Sequence, residues 1–226
     1  MATGGASNNQ ASDESVRCFY LFVSLLALLL ASPLFDVHPR GQIFTAGLNT
    51  ATIVAGVYAV AKKRSDLMVA LALAIPQLLL AWIAIATASP GAGIASVVLL
   101  VAFYAYAAAR VLGYVASGEE VTTDRIFGAI SVYLLMGLGW ASTYFLLELL
   151  RPGSFFIDPI RNPTGGLAFP QLVYMSFATL TTLGYGDVTP VSGLARVVAS
   201  LEAVAGVLYL AVLVSRLVSL YKPASR

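Results

Sequence analysis

The residues with the most distinctive chemistry are Thr181, Thr182, Leu183, Gly184, Tyr185, Gly186 and Asp187, consecutive in the chain. Gly184 and Gly186 carry no Cβ, so each can adopt positive φ without steric cost. At alternate positions they let successive carbonyls face one axis, which an ordinary strand forbids. The carbonyls of Thr182, Leu183, Gly184 and Tyr185, with the Thr182 hydroxyl, can then replace the hydration shell of a bare cation. Asp187 follows at the mouth of this run and concentrates cations there. One strand supplies only a quarter of a coordinating ring, and the motif occurs once. Four copies of the chain are therefore expected around the axis.

The element that must position this run is short. From Phe169-Pro170 the sequence is QLVYMSFATLTTLGYGDVTP. Proline suits the first position of a helix, and apolar residues continue to about Thr181. Some 12 residues make a helix of about 18 Å, too short to cross a bilayer. Irregular, glycine-containing backbone after a half-crossing helix is tolerated at membrane depth only inside protein or along water. The run from Thr182 to Asp187 should therefore line an aqueous path, with the negative helix end turned toward a cation.

Membrane depth itself follows from composition. Among 226 residues only 11 % are charged and 59 % are hydrophobic, against about 25 % charged in an average soluble domain. This excludes an ordinary soluble enzyme, a disordered chain and a nucleic-acid binder with a basic face. The net charge of +2 points to no polyanionic partner, and a single cysteine, Cys18, excludes an internal disulfide framework. A span needs about 20 apolar residues, and six stretches qualify: 17–35, 43–61, 67–88, 94–115, 125–150 and 193–221. The longest polar stretch, about 151–168, reads as an irregular extramembrane loop. The flank before the first span is net acidic, so that span reads as retained rather than as a secretory signal. With a cytoplasmic N-terminus, nine Lys and Arg residues lie inside and four outside. The positive-inside rule then puts both termini in the cytoplasm and the 151–168 loop outside, in a multi-pass protein of the plasma (inner) membrane.

The run Thr182–Asp187 resembles the selectivity filter T-V-G-Y-G-D of the potassium-channel superfamily. The fifth span ends STYFLLE, similar to the outer helix of six-span members, and the sixth contains LEAVAGVL, similar to their inner helix around its hinge glycine. The resemblance implies an all-α membrane protein, with six transmembrane helices, a re-entrant pore helix, a filter loop and a homotetrameric pore. Residues 1–16 would be a cytoplasmic tail and 17–115 a voltage-sensor-like domain of four helices. A linker over 116–123 would lead to the pore domain over 124–221 and a cytoplasmic tail over 222–226. K⁺ would be the transported ion, with no cofactor and no catalysis, and the partners would be lipid and three further copies. An unidentified regulatory subunit is a further possible partner. Since only 222–226 follow the pore, no cytoplasmic nucleotide- or calcium-binding domain is expected in this chain.

Departures from the family pattern carry expectations of their own. Leu183 replaces the usual valine, behind the carbonyls. Tyr174 and Met175 stand where many relatives have two tryptophans that hydrogen-bond around the filter, and Met175 can donate no such bond. Ala178 cannot pair with Asp187 as a glutamate of some bacterial channels does. The outer mouth is therefore expected to be held less tightly. Glu148 is expected to brace the external end of the pore helix, or else to be a solvated cap. Gly206 is expected to be a hinge; a close-packing position is the alternative. Glu202, four residues earlier and on the same face, is expensive at that depth. It could bond the pore helix while protonated, either structurally or in gating and pH sensing. By family position Val214 lines the inner cavity and Val218 lies near a cytoplasmic constriction; packing against neighbouring helices is the other reading.

Voltage sensing requires several charges in the field, each contributing about 2.3 kcal/mol per 100 mV. The fourth span has one, Arg110, expected to snorkel at the interface, with no acid in the core of spans one to four to steady it. The layout is that of a voltage-gated channel without the sensor. Gating is left to the pore, lipid, pH or a partner. The other readings are a weakly selective cation channel, favoured by a filter lacking its second glycine or tyrosine, and a non-conducting regulatory subunit, favoured by a damaged filter.

Overall fold

The computed structural model describes residues 17–35, 41–117, 122–160 and 167–220, with the side chains of 32–35, 41–42 and 217–220 outside that description. The tails, 1–16 and 221–226, also lie outside it, as do His38 and part of the loop between the last two long helices. The helices are α1 (Arg17–Phe35), α2 (Gly41–Val60), α3 (Arg64–Thr87), α4 (Pro90–Ala116), α5 (Thr123–Leu150), α6 (Phe169–Leu180) and α7 (Gly193–Leu220). Long runs free of charge make a helix the stable state at membrane depth, since it satisfies each backbone group within its own segment. Five of these helices, α2 to α5 and α7, are long and apolar enough to cross a membrane. The described apolar part of α1, Arg17–Ala31, is shorter.

One element departs from the all-α expectation. Within the loop read as irregular, β1 (Phe155–Ile157) pairs antiparallel with β2 (Val188–Pro190), Phe156 opposite Thr189. Three consecutive β-favouring residues, Phe155, Phe156 and Ile157, carry the strand. Its partner begins one residue after Asp187, so the pairing was invisible to any local pattern.

The chain divides into two compact units, Met1–Ala74 with Tyr106–Leu134, and Ile75–Ala105 with Leu135–Arg226. In the first, α1 packs along α2 through buried Leu21, Leu25 and Ile53. Asp124, 3 % exposed, accepts the Cys18 amide at 2.9 Å and the Tyr114 hydroxyl at 3.1 Å. In the second, the core gathers Tyr144, Phe155, Leu172, Met175, Val188, Ala195 and Ala199. That cluster ties α5, the strand pair, α6 and the start of α7 together around the 181–187 run.

Candidate functional site

The 12-residue α6 starts at Phe169 with proline in its first turn. The Gln171 side chain accepts the Ala168 amide at 3.1 Å and so caps the helix start. At its other end the chain turns back on the helix. The Thr182 amide donates to the Thr179 carbonyl at 3.0 Å, and those of Leu183 and Gly184 donate to the Ala178 carbonyl at 2.8 and 3.1 Å. In a planar trans peptide the N–H and the preceding C=O point opposite ways. Two amides turned toward α6 therefore turn the Thr182 and Leu183 carbonyls away from it, to one common side.

The dihedral angles extend this order along the run. Thr182 has φ +61°, Gly184 φ +57° and Gly186 φ +78°, and no other residue between them is positive. The two glycine values agree with the sequence reading. Thr182 was not anticipated: a β-branched residue in the left-handed region is rare and marks a strained, over-determined position. Thr182 through Gly186 are all exposed in the single chain, and the Thr182 hydroxyl has no hydrogen-bond partner among the described residues. The Thr181 hydroxyl instead donates to the Phe177 carbonyl at 2.7 Å, finishing the helix end.

Above this run the mouth is tied, which corrects the expectation of a loose one. The Tyr174 hydroxyl donates to Asp187 Oδ1 at 2.9 Å, and its ring stacks on Tyr185 at 6.1 Å between centroids and 6° between planes. The Asp187 carbonyl accepts the Asp158 amide at 2.8 Å. Met175 points the other way, into the core, at 3 % exposure. Helical spacing puts consecutive residues about 100° apart, so Tyr174 and Met175 could not both face the mouth.

Behind the run lies a buried acid. Glu202 is fully buried; the Tyr144 hydroxyl donates to its Oε2, and Ser176 Oγ lies 2.5 Å from its Oε1. Ser176 Oγ also donates to the Gly137 carbonyl at 2.7 Å. One carboxyl thus joins α5, α6 and α7. Four residues on, Gly206 is buried where α7 crosses the end of α6. A Cβ there would run into the Leu180 carbonyl oxygen and stand 3.1 Å from Leu180 Cδ1. α7 continues unbroken through Gly206.

Comparison with known proteins agrees with this geometry. A family model described as an ion channel matches residues 132–222. The chain is 32 % identical over 126 residues to Protein LctB of Bacillus caldotenax, covering 52 % of this chain and 93 % of that protein. It is 34 % identical over 103 residues to Protein LctB of Geobacillus stearothermophilus, covering 44 % of this chain and 75 % of that one. Over 89 residues it is 47 % identical to the calcium-gated potassium channel TvoK of Thermoplasma volcanium, covering 39 % of this chain and 22 % of that one. The chain belongs to the potassium-channel superfamily. It is a transmembrane ion-transport protein, and the matched stretch contains α6, the 181–187 run and α7.

Other parts of this channel chain sit differently from expectation. Glu148 does not brace α6: its Oε1 accepts the Gly153 amide at 2.7 Å and its Oε2 the Phe155 amide at 3.3 Å. It caps the reversal from α5 into β1, because these amides are the nearest unpaired donors after the helix ends. Arg110 is not a free snorkelling side chain. It pairs with Asp66 at 2.5 Å, and the Tyr106 hydroxyl donates to the Asp66 carbonyl at 3.3 Å. The helix begins at Arg64, three residues ahead of the predicted span, which brings Asp66 into its first turn. Val214 is exposed in the single chain, and the Val218 side chain lies outside the described residues. Tyr144 and Ser176 escaped the sequence reading. The available signal was Glu202 itself, since a buried acid demands hydroxyl or amide partners from the helices it faces.

Proposed function

We propose that four copies of this chain form a K⁺-selective channel, in which Thr182, Leu183, Gly184 and Tyr185 present backbone carbonyls to the ion. The observation that carries this is the alternation of φ sign from Thr182 to Gly186. Together with the amides held by Ala178, it favours carbonyls on one side. Uncharged dipoles replace water around K⁺ at membrane depth without a buried charge. The tetramer is supported by what the single chain leaves open: the filter run is exposed, and Val197, Leu201, Val204 and Leu208 of α7 are more than half exposed. The name of TvoK, and its identity across the pore, also favour K⁺ as the ion. The reading includes six spans, with α1 as the first and the basic ends of the helices in the cytoplasm. It does not include gating by voltage, since the one arginine of α4 is tied to Asp66.

Gly184→Ala tests the filter. A Cβ at Gly184 meets nothing within 4 Å, so the subunit should fold. Its positive φ costs alanine about 1–2 kcal/mol in each copy, and relief of that strain turns a carbonyl away. The expected result is assembled protein that no longer passes K⁺ in liposomes. Wild-type K⁺ flux from this variant would overturn the assignment.

A further inference from the structure

The first compact unit contains a cavity of about 340 Å³ at the junction of the end of α2, the turn into α3 and the end of α4. Its lining includes Lys62, Lys63, Asp66, Arg110, Tyr114 and Ser117. Asp66 and Arg110 cancel each other as an ion pair. That leaves two uncompensated ammonium groups, on exposed residues. The Lys62 ammonium lies over the Tyr114 ring, 3.2 Å from its centroid, which seats it against the wall. Lys63 has no hydrogen bond or ion pair among the described residues. Two lysines and two hydroxyls, of Tyr114 and Ser117, converge on one concave space, and all are donors.

We propose that this cavity binds a phosphate group, with Lys62 and Lys63 supplying the charge. It lies where three membrane helices end, which is the depth of lipid headgroups, and basic pockets at that depth suit anionic lipid. A soluble phosphate offers the same chemistry. The volume is within the range of small-molecule sites and exceeds what a single phosphate fills, leaving room for a glycerol. Neutralising Asp66 through Arg110 removes the repulsion that an acid in the wall would otherwise exert. The inference is independent of the pore: it holds or fails whatever the channel conducts.

The test uses full-length protein in a neutral detergent, titrated calorimetrically with dihexanoyl phosphatidic acid, dihexanoyl phosphatidylcholine and inorganic phosphate. Phosphatidic acid should bind more tightly than phosphatidylcholine. Each lysine contributes about fivefold near an anionic headgroup, so Lys62→Gln with Lys63→Gln should weaken binding by at least tenfold. Arg151→Gln, exposed and remote in sequence, should change it less than twofold. If inorganic phosphate shows the same lysine dependence and competes, the site takes free phosphate; if only the lipid binds, it takes a headgroup. Unchanged affinity in the double variant would overturn the proposal. So would an equal loss in Arg151→Gln, or phosphatidic acid binding no better than phosphatidylcholine with no phosphate binding.

Discussion

Gly206→Ala is expected to lower the melting temperature of the detergent-solubilised protein and to abolish most K⁺ flux. Two effects compete. Alanine is the better helix former by about 1 kcal/mol, while overpacking costs about 1–3 kcal/mol and occasionally more. The second wins because of what the new methyl group meets. Its closest neighbour is the Leu180 carbonyl, with the Leu180 carbonyl carbon at 3.2 Å. Backbone at a helix end cannot swing aside as a side-chain tip can. The crossing of α6 and α7 must open, and Leu180 lies only two residues before Thr182, so the base of the filter moves with it. The measurement also separates packing from hinging. Loss of a hinge alone would leave melting unchanged or raised and alter only opening. An unchanged melting temperature would therefore refute the packing role.

Glu202→Ala should be nearly as severe, and Glu202→Gln mild. A serine hydroxyl has one proton, yet Ser176 Oγ sits at hydrogen-bond distance from both the Gly137 carbonyl and Glu202 Oε1. The carbonyl can only accept. If Ser176 donates to it, the contact with Glu202 closes only when the carboxyl brings a proton of its own. The chain then runs from Glu202 to Ser176 to Gly137, with Tyr144 donating to the other carboxyl oxygen. Glutamine reproduces this pattern: its NH₂ donates to Ser176 and its carbonyl accepts from Tyr144. Alanine leaves two buried hydroxyls short of partners, at about 1–3 kcal/mol each, and adds a cavity. Thermal melting and K⁺ flux should fall sharply for Ala and little for Gln. Equal losses in both would mean that an ionised carboxylate matters and that the proton assignment is wrong.

The helical frame was legible because hydrocarbon imposes a simple rule on composition. Predicted spans such as 17–35 and 125–150 fall within two residues of α1 and α5. The short α6 was legible for the same reason, with Pro170 marking its start. Polar contacts across helices were not. Asp66 reads as a loop residue until α3 is seen to begin at Arg64, and only then does it reach Arg110. The strand pair links Phe155 to Pro190 across 35 residues, beyond any local signal. The role of Glu148 failed for a related reason: family position indicates where a side chain starts, while the nearest open amides decide what it binds. The left-handed Thr182 was hidden because side-chain type argues against it, and the two amides bound to Ala178 impose it.

The central claim is that backbone carbonyls from Thr182 to Tyr185 select K⁺. It is tested most directly by the reversal potential of the purified wild-type protein in a planar bilayer, with K⁺ on one side and Na⁺ on the other. A carbonyl filter of this kind predicts a reversal potential set by K⁺, with little Na⁺ current in either direction. A reversal potential near zero, meaning equal permeability to both ions, would contradict it.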